Sequence, residues 1–183
     1  MKRIILHWTA GRGIPNEHEK ECYHYLIDIF GCVHNGNYDP KDNENCNDGK
    51  YAAHTGGGNT DSIGVALCGM FDYKNSKDVG VYPLTKRQCE ASFKFVAILC
   101  KIYDIKISPE TVLTHYEFGK RFPKTSSRGK IDLTFLPPYS YLKPDDVGDF
   151  IRNKVKWYYN AMEKQTEINE KKSKNLIYYS KQA

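Results

Sequence analysis

Three aliphatics run from Lys2-Arg3 into a histidine and a small-residue turn in Ile4-Ile5-Leu6-His7-Trp8-Thr9-Ala10-Gly11, the pattern of a strand covered on both faces in an α/β sheet. His7 then stands where the strand ends, which is where open α/β sheets hold ligands. Residues 12–21 are polar and rich in Gly, Pro and Asn, which predicts a connection without a long helix. Cys22-Tyr23-His24-Tyr25-Leu26-Ile27-Asp28 is dense in aromatic and aliphatic residues and meets Phe30-Gly31, predicting a hairpin that returns through Cys32-Val33-His34. Residues 35–50 are almost all Asn, Asp, Gly and Lys and read as a solvated loop, long enough to shape a binding rim. Small residues from Tyr51 to Asn59 lead into Ser62-Ile63-Gly64-Val65-Ala66-Leu67-Cys68, a second buried strand.

The second half is more helical. Thr85 with Gln88 forms a capping box, and Cys89, Phe93, Val96, Ala97, Cys100 and Tyr103 recur at helical spacing, which predicts a helix from Lys86 to about Tyr103. Val112-Leu113-Thr114-His115 repeats the opening theme of aliphatics ending on a histidine. Residues 116–129 read as basic and irregular. A last helix starts near Pro144-Asp145-Asp146 and carries the apolar stripe Val147, Phe150, Ile151, Val155, Tyr158 and Met162. Beyond Glu163, Lys, Glu and Asn take over, predicting a weakly packed helix or frayed tail that ends in Tyr178-Tyr179. Together the elements describe an α/β fold, one domain with a central mixed β-sheet flanked by helices. Residues 1–142 make its body, and 143–183 a C-terminal helix packed on it with a Lys-rich tail.

Charge narrows the partners only slightly. With 27 Lys and Arg against 22 Asp and Glu, the net charge of +5 suits an anionic partner, nucleic acid or cell-wall polymer alike. No apolar run approaches the roughly 20 residues of a membrane span, and the N-terminus does not read as a secretory signal, so the expectation is a chain made in the cytoplasm. The six cysteines read mainly as small buried hydrophobes, with Cys32 and Cys46 the first pair to test for a disulfide. Asp42, Asn43, Glu44 and Asp48 cluster like a calcium loop, but Cys46 stands where an oxygen ligand is needed.

Two strands that each end in a histidine, with Asp132 in a loop after the second, supply the ligand count of a catalytic zinc site with one position open. The residues alone leave alternatives: His18, His24, His34 and His54 are also present, and a buried histidine is commonly satisfied by a backbone carbonyl. Tyr23 can be a packing tyrosine, Lys130 a solvated charge. His24, next to Tyr23, reads as packed or as support rather than as a ligand, and His18 and His34 read as surface residues.

Six segments, taken in order, carry a resemblance: Ile5-Leu6-His7-Trp8-Thr9-Ala10-Gly11, Tyr23-His24-Tyr25-Leu26-Ile27-Asp28, Ala53-His54-Thr55-Gly56-Gly57, Asn59 with Asp61-Ser62-Ile63-Gly64-Val65, Leu113-Thr114-His115, and Gly129-Lys130-Ile131-Asp132. The chain resembles the zinc-dependent N-acetylmuramoyl-L-alanine amidases of type 2, which include phage endolysins and are related to peptidoglycan recognition proteins. The resemblance implies a zinc amidase domain in residues 1–142, with Zn2+ held by His7, His115 and Asp132. It implies Tyr23 and Lys130 as catalytic side chains; another branch uses a glutamate where this chain has Ala66. His54 either lines the substrate cleft or fixes its loop. The implied substrate is peptidoglycan, cut between N-acetylmuramic acid and L-alanine, by a monomer released to the wall through a phage holin-type pore. One departure is the short connection between His7 and Tyr23, where many members carry a helix. A non-catalytic peptidoglycan-binding module ranks second. A nucleic-acid-binding protein rests only on charge and the Lys-rich tail, and no nucleic acid is expected.

Overall fold

The computed structural model describes residues 1–180, with side chains through 169. Five strands, β1 (Arg3–Trp8), β2 (Tyr25–Ile27), β3 (Val33–Asn35), β4 (Ser62–Leu67) and β5 (Val112–Thr114), form one sheet in the order β3-β2-β4-β1-β5. All neighbours run parallel except β3, which closes one edge antiparallel to β2. Four helices accompany the sheet: α1 (Glu17–Cys22), α2 (Lys86–Ile102), α3 (His115–Arg121) and α4 (Val147–Ser180). The α/β fold with a mixed sheet and flanking helices is therefore as the sequence predicts.

Side chains alternate across a strand, so each central strand divides its residues between two environments. Ile4, Leu6 and Trp8 of β1 and Ile63, Val65 and Leu67 of β4 join Phe93, Val96 and Ala97 of α2 and Val147, Ile151 and Val155 of α4 in the main core. Each such aliphatic side chain contributes roughly 1.5–3 kcal/mol by leaving water. The opposite face of the sheet carries Ile5 and His7 from β1 and the small Ser62, Gly64 and Ala66 from β4. There Ile5, Leu113 and Phe118 of α3 form a second, much smaller apolar cluster.

Several local expectations change. The connection before Tyr23 contains α1, opened by a reciprocal cap in which Asn16 and Glu19 each accept a backbone N–H from the other at 2.9 Å. That short helix delays the start of the predicted first hairpin strand: Cys22 is helical, Tyr23 is the helix C-cap, and the strand begins at Tyr25. The 35–50 segment coils into short 3-10 turns at Pro40–Glu44 and Cys46–Asp48, and Asn43 within it is fully buried. Its side chain satisfies Ala52 N–H, the Ala52 and Asn59 carbonyls, and His24, so the loop is anchored rather than wholly solvated.

The segment predicted to be irregular after His115 starts with α3. Thr114 caps this helix and Glu117 returns the bond, an S/T-x-x-E box that the basic composition hides. Among the described residues all six cysteines are free thiols; Cys68, Cys89 and Cys100 are buried hydrophobes, Cys32 is exposed, and Cys32 and Cys46 do not pair. No helix among the described residues is long and apolar enough to cross a membrane. Past Glu163 the described side chains of α4 are exposed, and those of Tyr178-Tyr179 lie outside the described residues.

Candidate metal centre

Parallel register brings the two strand-end histidines together. Ile5 pairs with Leu113 and Leu6 with Thr114, so one further step sets His7 beside His115. Both point to the small-residue face, since each lies two positions beyond a residue of the minor cluster. Thr114 ends β5 and caps α3, which turns the chain at His115 and fixes the direction of its ring. Asp132 reaches the same point from the loop after α3.

His7 Nδ1 and His115 Nδ1 are 3.1 Å apart, and Asp132 Oδ2 lies 3.2 Å from the first and 3.1 Å from the second. A tetrahedral zinc ion with N and O ligands at about 2.0–2.1 Å has ligand–ligand edges of about 3.3 Å, close to this triangle. Both Nε2 atoms face away from it: His7 Nε2 meets His54 Nδ1 at 3.2 Å and Thr55 Oγ1 at 3.3 Å, and His115 Nε2 meets Ser127 Oγ at 3.0 Å. Neutral imidazoles with their protons on Nε2 aim two lone pairs and a carboxylate oxygen at one spot. That arrangement is repulsive without a cation and suits one well. Among the described residues this is the cluster of His, Cys and acidic side chains able to share an ion.

Electrostatics agree with neutral imidazoles. Burial pushes His7 down to about 4 and drives His54 well below the ordinary histidine value, its histidine neighbours adding to the effect.

Tyr23 packs its ring on His7, centroids 5.1 Å apart. Its burial, reinforced by Asp132, pushes the phenol far above its usual pKa, so the hydroxyl keeps its proton. Lys130 is exposed and lines a groove of about 300 Å³ with Trp8, Asp72, Tyr73 and Asp132. His54 lies behind His7 and is buried; its Nε2 faces the Ser62 carbonyl at 3.4 Å and its Nδ1 lies 2.8 Å from Thr55 Oγ1. Gly64 makes room for it, since a Cβ there would sit 2.5 Å from the His54 ring. His24 is packed, with Nε2 on Asn43 Oδ1 and Nδ1 accepting the Gly64 N–H, both at 2.9 Å. His18 is exposed, and the half-exposed His34 pairs with Asp28 at 2.8 Å.

Three contributors escape a sequence reading: Thr55, Ser127 and Arg152. The first two are common polar residues with no spacing signal. Arg152 interrupts the apolar stripe of α4 and is 5% exposed. It donates to the Val112 carbonyl at 3.0 Å, to both Glu117 oxygens at 2.8 and 3.1 Å, and to Asp149 at 2.7 Å, bracing the corner that presents His115.

A family model described as N-acetylmuramoyl-L-alanine amidase matches residues 1–130, which includes His7 and His115 and stops just before Asp132. A search of curated protein sequences gives no match. Among solved structures the chain is similar to a mutant of PlyL, at 25% identity over 85% of this chain and 84% of that one, with a TM-score of 0.48. It is also similar to the N-acetylmuramoyl-L-alanine amidase LysC from Clostridium intestinale, at 18% identity over 62% and 69% with a TM-score of 0.44. Drosophila peptidoglycan recognition protein SD matches at 18% identity over 69% and 74% with a TM-score of 0.46. With the family model spanning most of its length, the chain belongs to the N-acetylmuramoyl-L-alanine amidase family.

Proposed function

We propose that this chain is a zinc-dependent hydrolase of the amide between N-acetylmuramic acid and L-alanine in peptidoglycan, acting as a phage-type endolysin, with His7, His115 and Asp132 as the zinc ligands. The observation that carries the reading is the triangle of two Nδ1 atoms and one carboxylate oxygen with edges of 3.1–3.2 Å. When bound, zinc supplies Lewis acidity, polarising a carbonyl and lowering the pKa of water to about 7.

The remaining work falls to the chain's own groups. Tyr23, protonated and packed on His7, donates its hydroxyl to the oxyanion that develops at the scissile carbonyl. Lys130, two residues before Asp132 and on the groove wall, offers three N–H donors and a positive charge to the same oxygen. His54 and Thr55 hold the far side of His7, which makes His54 a positioning residue more readily than a substrate contact. A binding module without catalysis would have little use for a complete ligand set.

Mass spectrometry of digested purified peptidoglycan tests the reading. Stem peptides that begin with L-alanine are the expected product, lost on chelation and restored by zinc; no release by the zinc-loaded protein overturns it. Tyr23→Phe and Lys130→Ala should each cut turnover by about 10²-fold or more while wall binding persists.

A further inference from the structure

We infer that Ser127 is a positioning residue that sets which nitrogen of His115 carries the ring proton; this rests on the metal-site reading above. Ser127 is fully buried, and its Oγ stands between His115 Nε2 at 3.0 Å and the Gly56 carbonyl at 2.8 Å. A carbonyl oxygen only accepts, so the single hydroxyl proton of Ser127 is committed to Gly56. The hydroxyl oxygen therefore accepts from His115, which places the imidazole proton on Nε2 and leaves the Nδ1 lone pair facing His7 and Asp132.

The glycine-rich loop makes this possible. A Cβ on Gly56 would collide with the side chain of Ser126, and one on Gly57 with Thr125, so the two loops interlock only because those positions are bare. The next residue upstream, Thr55, serves His7 in the same manner. His54 Nε2 faces the acceptor-only Ser62 carbonyl, so His54 Nδ1 takes the Thr55 hydroxyl proton at 2.8 Å, and His7 Nε2 is left as the donor. Each histidine thus meets one hydroxyl, His7 that of Thr55 and His115 that of Ser127, and the Ser127 contact is the shorter of the two.

The test compares zinc affinity of the whole protein and Ser127→Ala by competition with a chromophoric chelator. It also reads the His115 tautomer of the zinc-free protein from imidazole 15N shifts. Ser127→Ala should weaken zinc binding about 10–100-fold with an almost unchanged melting temperature, and Ser127→Thr, which keeps the hydroxyl, should recover most of it. Unaltered affinity in Ser127→Ala overturns the inference. A wild-type His115 protonated on Nδ1 also overturns it, a result that stands even if the variant fails to fold. Failure of the metal-site reading itself looks different: the wild type would not bind zinc tightly, whatever the tautomer.

Discussion

The two faces of the sheet are built from the same strands and obey opposite rules. Toward α2 and α4, β1 and β4 present Ile, Leu, Val and Trp, each filling space for its own sake. Toward the candidate metal centre the same strands present His7, Ser62, Gly64 and Ala66, where small side chains leave room for imidazoles and polar atoms are satisfied one by one. The difference teaches that stability and chemistry are separable here at single-residue resolution, because neighbours along β1 belong to different faces.

The sharpest way to break the comparison is at Leu6 and His7. His7→Ala should lower peptidoglycan hydrolysis by about 10³-fold or more, measured by release of stem peptides, with the fold intact by circular dichroism. Its neighbour should behave in reverse: Leu6→Ala should cost about 2–5 kcal/mol in urea unfolding, with catalysis below the transition nearly unchanged. Gly64→Ala sharpens the contrast from within the site face. Its new methyl meets the His54 ring, so a cost of about 1–3 kcal/mol should come with a displaced His54, visible as altered imidazole NMR signals.

Much of this architecture is legible in the sequence, and the reasons are local. α2 announces itself through its Thr85 box and helical spacing, and the two strands that end on histidines are visible because aliphatic runs stop on a polar residue. Bringing Asp132 to them is not a local matter. No spacing rule links a loop carboxylate to two strands more than a hundred residues apart, so the residues offer Asp132 only as one candidate and the family resemblance is what singles it out. The helix α3 hides behind basic composition although its Thr114–Glu117 box was present to be read. The buried Asn43 hides in a segment whose average polarity is that of a solvated loop, because one anchoring amide does not change an average.

Arg152 ties the far end of the chain to this chemistry. A version terminated after residue 142 would keep His7, Tyr23, His54, His115, Lys130 and Asp132, yet would strip Glu117 of its guanidinium partner and bare the core that Val147, Ile151 and Val155 complete against α2 and the β5 edge. The loss of those three buried aliphatic side chains removes about 1.5–3 kcal/mol each, a large share of what holds a domain of this size together. Such a truncated protein should express poorly and melt below the intact chain: the last helix is a buttress for the corner that presents His115, not a dispensable trailer.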